Sequence, residues 1–441
     1  MKILLATHQY FPDHVGGTEV LTLGIARRLH KLNHVVAVVT YIESASSKTR
    51  NFIIKETVFE EIPVYQIYYN LNADPFPVLA EYRNSYIHDL FVNILKEFNP
   101  DLVHFTHVMK LSGSTLEACS ELKIPFIVHL TDFWFICPRH TLMKWNNTLC
   151  NGPKNDTYCI KCLHHTHGFF SSFVSRINSF ALSKMVTGGI PTEKADKKSF
   201  RKNIDALALR NKYLREQLGK ADQLIALSEF QKKMFLLNGY PENLIKVIPH
   251  GIEELIKDII HKKPEGTQIN LLLIGSVVPH KGVHVAIQAM AGSLNKNIKL
   301  IIWGDATGNN AYSLMIRGAA KTDPRVELRG IFAPDQMADV LSECHMLLMP
   351  ALWYENDPLV VQLALAAGMP VMASHLGSLP DMIRDQENGW LLPPGNVRSW
   401  TKAFDNITYE KLNSLKAFPS VIRTADDHFK DVYSIYQKIS Q

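Results

Sequence analysis

Two doubly wound, Rossmann-like α/β domains facing one cleft are expected from three features of the chain. Short apolar runs of strand length alternate with stretches of helical spacing. The alternation breaks at a polar stretch carrying Lys262, Lys263, Pro264 and Gly266 and then restarts. The 441 residues are about three times the roughly 150 of a typical domain. Hydrophobic residues at 46% and charged residues at 20% give a globular balance and exclude a disordered chain. A net charge of +5 is too small for a dedicated nucleic-acid binder, so no nucleic-acid partner is expected.

The first run, Lys2 to Thr7, reads as a strand. A glycine-containing loop follows, and Leu21, Ile25, Leu29 and Leu32 then recur at helical spacing. Val35 to Thr40, Leu102 to Phe105, Phe126 to Leu130 and Leu224 to Leu227 read as further buried parallel strands. Residues 133–221 contain no clear strand and read as an insertion, which places the first domain at 1–255. The second series comprises Asn270 to Gly275, Lys299 to Trp303, Val326 to Leu328, Met346 to Met349 and Pro370 to Ala373, for a second domain at 256–425. Phe429, Val432, Tyr433, Tyr436 and Ile439 fit an amphipathic helix over 426–441.

Ligands of open parallel sheets bind outside the carboxyl ends of the strands, so the loops there carry the interest. Gly16, Gly17 and Thr18 open a helix after the first strand and suit a phosphate or sugar, although a tight turn explains the glycines equally well. Gly-x-Gly-x-x-Gly is absent from this turn, which argues against hydride chemistry. In the second domain Gly275, Ser276, His280, Lys281 and Gly282 also lie between a strand and a helix, and Lys281 is placed to meet a diphosphate. Further on, Pro350-Ala-Leu-Trp353-Tyr-Glu355-Asn-Asp357-Pro358-Leu-Val360 leads from a strand into a helix that stops at Gly368 before Pro370.

With Gly16-Gly17-Thr18-Glu19, Asp101-Leu-Val-His104, Pro249-His-Gly251, Lys281-Gly282, Trp303-Gly304-Asp305 and Asn388-Gly389-Trp390, this pattern resembles family-4 (group 1) glycosyltransferases of the GT-B fold. The motifs run through most of the chain and leave only the insertion and the tail weakly covered. The resemblance implies retaining transfer of a sugar from a nucleotide-sugar donor to a saccharide or polyprenyl-linked glycan, with no cofactor for catalysis and no obligatory metal. It implies that Lys281 meets the diphosphate, that Glu355 accepts hydrogen bonds from the donor sugar, and that Asp357, Pro358, Leu359 and Val360 begin a helix toward the phosphates. His129 corresponds to the family's strand-end histidine, with Thr131 as the alternative, and His104 and His107 are further candidates for the cleft.

The chain departs from the family in two further places. Leu363 stands where the family has its second glutamate, and Ser276 where an arginine is frequent. A catalytically weak partner subunit that binds nucleotide-sugar or glycan is therefore the rival reading.

Cys137, Cys150, Cys159 and Cys162, separated by 12, 8 and 2 residues, suit a structural zinc or iron–sulfur centre, with His164, His165 and His167 as substitute ligands. Unliganded thiols and disulfides are the alternatives. Basic residues from Lys194 to Arg215, beside Phe169, Phe170, Phe173 and Phe180, suit peripheral contact with an anionic membrane, a solvated helix face being the plainer account. With no apolar run near the roughly 20 residues of a membrane span and no signal-like start, a cytoplasmic protein, at most peripheral on the inner membrane face, is expected.

Overall fold

A computed structural model describes residues 1–44, 53–74, 76–153, 159–163, 197–253, 266–415 and 423–441. The expected ligands His164, His165 and His167, the four phenylalanines from Phe169 to Phe180, Lys194 and most of the inter-domain stretch lie outside these residues. The chain forms two compact units, Met1–Ile248 with Phe429–Gln441, and Pro249–His428.

The first unit is built on eight strands: β1 (Lys2–Thr7), β2 (Val35–Glu43), β3 (Ile53–Phe59), β4 (Ile62–Tyr69), β5 (Leu102–Phe105), β6 (Phe126–Leu130), β7 (Gln223–Ala226) and β8 (Ile245–Val247). Their order is β3-β4-β2-β1-β5-β6-β7-β8. β1 pairs in parallel on both sides, with Lys2 opposite Val35 and Ile3 opposite Leu102. Helices cover both faces of such a sheet, so Ile3 to Ala6 and Leu102 to Phe105 are wholly buried and read as unbroken apolar runs rather than alternating ones.

The antiparallel β3/β4 hairpin at the edge was not expected. Glu60 and Glu61 form its turn at φ of 49° and 65°, a left-handed pair that usually carries asparagine and glycine. Arg27 donates two hydrogen bonds, each of 2.7 Å, to the Glu60 carboxylate and anchors the turn where the sequence lacks the usual residues.

The closing helix, Ala425–Ile439, lays Phe429, Val432, Ile435 and Tyr436 into the same core as Ile3, Leu5, Ile25 and Ile127. From Phe429 onward it therefore belongs to the first unit, and the sequence could not tell what it packs on. In the insertion, the Arg210 guanidinium is 1% exposed and lies 4.9 Å from the Trp134 ring. It donates to Glu81 (3.1 Å) and to the Trp134 carbonyl (2.8 Å), tying both to the helix Lys197–Leu218.

The second unit has β9 (Ile269–Ile274), β10 (Ile298–Trp303), β11 (Val326–Gly330), β12 (Met346–Met349), β13 (Val371–Ser374) and β14 (Gly389–Leu392). The order is β11-β10-β9-β12-β13-β14, parallel throughout. Pro249–Ile252 enters this unit beside residues 423–425, with the Ile252 N–H donating to the Arg423 carbonyl and the Ala425 N–H to the Ile252 carbonyl. A Cβ on Gly251 would lie 1.9 Å from the Thr424 carbonyl oxygen, so the Pro-His-Gly step is fixed by two backbones running side by side.

Ile435 is 5% exposed in the first unit's core, and truncating it removes buried apolar atoms that the helix cannot replace. Ile435→Ala is expected to lower stability by about 2–4 kcal/mol, measured by urea denaturation. A loss below about 0.5 kcal/mol, as at an ordinary surface position, would show that the closing helix is not part of that core.

Candidate functional site

In each sheet the strand order reverses once, between β1 and β5 in the first unit and between β9 and β12 in the second. The chain leaves the two central strands in opposite directions there, which opens a crevice beyond their carboxyl ends. The loops after β1, β5, β9 and β12 are therefore the places to look.

In the second unit Gly275 ends β9 and a single 3-10 turn, Pro279–Lys281, follows. Gly282 is left-handed at φ 73°, and a Cβ there would lie 1.8 Å from the Pro350 carbonyl oxygen, so the β9 and β12 loops meet backbone to backbone. This contact brings the Lys281 Nζ to 2.8 Å from Glu355 Oε1. The Trp353 indole N–H donates to the same oxygen at 2.6 Å, and the Lys281 ammonium stands 5.0 Å from the Trp353 ring, with His280 at 4.8 Å on that ring. Glu355 is 5% exposed, and its backbone is clasped by Gly377, where a Cβ would lie 2.6 Å from the Glu355 carbonyl oxygen. The sequence placed Lys281 and Glu355 at opposite ends of a donor, whereas here they neutralise each other in one ion pair.

Asp357 follows on the same loop. Burial pushes its carboxyl up to about 6, although the Gln362 amide and the His250 N–H each donate to it at 2.6 Å. His250 itself is held down at about 3 by burial and by neighbouring His428. Pro358 is the N-cap of the helix Leu359–Ala366, one position before the first turn where the sequence placed it. Leu363 is 9% exposed, and Ser276 is exposed.

In the first unit Gly16 caps the helix Gly17–Lys31. A Cβ on Gly16 would lie 2.6 Å from Glu19 Oε2, so the chain's own buried carboxylate folds back over the helix start expected to receive a phosphate. His129 lies within β6, its Nδ1 2.6 Å from His104 Nε2, and His104 Nδ1 is 2.6 Å from the Tyr436 hydroxyl of the closing helix. Thr131 donates to the Thr106 carbonyl at 3.2 Å.

Beyond the strand ends the structure gathers residues the sequence did not join. The Met109 N–H donates to His107 Nδ1 at 3.0 Å, which puts the proton of neutral His107 on Nε2, 3.0 Å from Asp132 Oδ2. The Trp134 N–H donates to Asp132 Oδ1 at 2.7 Å. Burial alone would raise the Asp132 carboxyl, but its contacts with His107 and the Trp134 N–H outweigh that and hold it at about 2. The His8 ring lies 4.3 Å from that of His107.

The expected metal centre gains no support. Cys137, Cys150, Cys159 and Cys162 form no disulfide, and among the described residues no group of three or more His, Cys, Asp or Glu is placed to hold a metal ion. Burial raises the thiols of Cys137, Cys159 and Cys162, so each favours its protonated form.

The two aspartates are expected to separate in a carboxyl-13C titration, Asp132 near pH 2 and Asp357 near pH 6. Because the Asp357 value is raised on folding, its contribution to stability is full below about pH 4 and is lost as pH rises through 6. Superimposed midpoints near 4 would contradict the burial ascribed to Asp357.

Comparison with known proteins assigns both units. Residues 15–254 match the model of Glycosyltransferase Family 4, and residues 268–408 match that of Glycosyl transferases group 1. An uncharacterized 42.6 kDa protein in the cps region of Klebsiella pneumoniae is 22% identical over 399 residues, 89% of this chain and 90% of that protein. The amylovoran biosynthesis glycosyltransferase AmsK of Erwinia amylovora is 24% identical over 40% of this chain, and the match spans 45% of that relative. The structure of Anabaena HepE in complex with UDP superposes with a TM-score of 0.64 at 16% identity, covering 99% of this chain and 100% of HepE. The lipopolysaccharide outer core galactosyltransferase WaaB gives 0.63 at 16% identity, with 99% of each chain covered. Together with the two sheets of mainly parallel strands these findings establish the GT-B fold, and the chain belongs to the family-4 (group 1) glycosyltransferases.

Proposed function

We propose that the chain moves a sugar, with retention at the anomeric carbon, from a nucleotide-sugar donor to a hydroxyl of a saccharide or polyprenyl-linked glycan in polysaccharide assembly. The observation that carries this reading is the Lys281–Glu355 pair beyond β9 and β12. A diphosphate arriving there offers Lys281 a stronger partner than one carboxylate and frees Glu355 to accept hydrogen bonds from sugar hydroxyls. Charge on the departing diphosphate is then met by Lys281 and by the N–H groups of Leu359 and Val360 at the helix start, without a requirement for a metal. His280 adds a ring donor beside Trp353, where Ser276 supplies no positive charge.

That HepE is described with UDP and with UDP-glucose supports a uridine nucleotide as the first donor class to try. Relatives from capsule and exopolysaccharide loci support a glycan acceptor. Among the described residues no helix is long and apolar enough to cross a membrane. A cytoplasmic enzyme that touches the inner membrane face through its basic helix suits a lipid-linked acceptor.

Leu363 favours a second reading, a partner subunit that holds nucleotide-sugar weakly. Leu363→Glu is expected to tighten donor binding about ten-fold, roughly 1.4 kcal/mol, in calorimetry if the site binds donor. A lowered melting temperature with no gain in affinity would mark a cleft put to another use, because the new carboxylate is then buried unpaired.

Turnover tests the main reading. Lys281→Ala is expected to lower the rate of nucleoside diphosphate release by a factor corresponding to about 2–4 kcal/mol, with a smaller change in donor affinity. Unchanged kinetics in this variant would remove Lys281 from the reaction.

A further inference from the structure

Glu355 receives both of its side-chain hydrogen bonds on one oxygen. The Lys281 ammonium at 2.8 Å and the Trp353 indole N–H at 2.6 Å meet Oε1, and among the described residues no group donates to Oε2. The side chain is 6% exposed, so it has lost most of its hydration. A carboxylate in that position keeps its charge and its orientation only through the groups that donate to it.

The two donors differ in how firmly they are held. Lys281 ends a single 3-10 turn, and its side chain is 24% exposed, so its ammonium is able to swing to another anion. Trp353 lacks that freedom. Its ring packs on the buried cluster that contains Leu347, Met349 and Ala351. Backbone bonds pin the loop on either side of it, the Leu352 N–H donating to the His280 carbonyl at 2.8 Å and the Ser378 N–H to the Glu355 carbonyl at 3.0 Å.

We infer that Trp353 is a positioning residue for the donor sugar: its indole N–H holds Oε1 of Glu355 while Lys281 is drawn away to the diphosphate, and leaves Oε2 to accept from the sugar hydroxyls. This deepens the transferase reading above and rests on it. In the free protein either donor orients the carboxylate. When a nucleoside diphosphate binds without a sugar, water fills the sugar's place and solvates Glu355 whichever way it turns. When the sugar is present that water is excluded, and the indole is the one donor left to fix the carboxylate. Loss of the N–H therefore weakens the nucleotide-sugar selectively, whereas loss of a side chain that merely shapes the loop weakens nucleotide and nucleotide-sugar alike.

Calorimetry on the full chain tests this with UDP and UDP-glucose, the guanosine and adenosine pairs being run alongside and the most tightly bound pair compared. The proteins are the wild type, Trp353→Phe, Glu355→Ala and the double variant. Trp353→Phe keeps an aromatic ring beside Lys281 and removes only the N–H donor and the second ring. It is expected to weaken the nucleotide-sugar about ten-fold while the free diphosphate stays within about two-fold. In the Glu355→Ala background the same substitution is expected to change nucleotide-sugar affinity by less than about two-fold, because the group it positions is gone. An equal loss for both ligands, no loss for either, or a selective loss that persists without Glu355 overturns the role of Trp353 while the donor reading stands. A wild-type protein that binds none of these nucleotides overturns both.

Discussion

The reversal of strand order in each parallel sheet is the constraint on which the site depends. A parallel sheet needs a crossover after every strand, and right-handed crossovers on both faces force the chain to leave its two central strands in opposite directions. At that point backbone carbonyls and N–H groups are spent on the sheet, and the loops are free to carry chemistry. The second unit shows how tightly this is used. Gly282 allows the β9 loop to press on the Pro350 carbonyl, and only that approach lets Lys281 and Glu355 meet at 2.8 Å across the reversal.

Electrostatics divides the chain's buried acids into two kinds. Asp132 is ionised because an imidazole and a backbone N–H both donate to it, and its charge is available to a ligand at any ordinary pH. Asp357 has two donors as well, from the Gln362 amide and the His250 N–H, but there burial outweighs them. Glu355 shares one oxygen between an ammonium and an indole N–H. A buried ion pair of this sort adds little net stability, since desolvation offsets most of the attraction. Its persistence in a half-open loop is better understood as a binding device that exchanges one anionic partner for another.

Much of this was legible in the sequence, for identifiable reasons. Central parallel strands announce themselves as apolar runs such as Lys2 to Thr7 and Met346 to Met349, and Lys281 and Glu355 stand in ordered motifs after such runs. The β3/β4 hairpin was hidden because its left-handed turn is made by Glu60 and Glu61, held by Arg27 from a distant helix. The grouping of His8, His107 and Asp132 was invisible because the first two are separated by nearly a hundred positions and are joined only by the pairing of β1 with β5. His129 illustrates the converse. Its place in sequence suggested a strand-end role, yet its ring is bonded to His104 inside the sheet, and through it to Tyr436 of the closing helix.

Hydrogen–deuterium exchange of the full chain, with and without a nucleoside diphosphate such as UDP, tests most directly whether the second reversal point is the donor site. The account predicts slowed exchange in the two peptides covering residues 275–283 and 350–362, the loops that carry Lys281, Glu355 and the helix start at Leu359. Protection confined to other segments, or no protection at a ligand concentration well above that which saturates calorimetry, would contradict it.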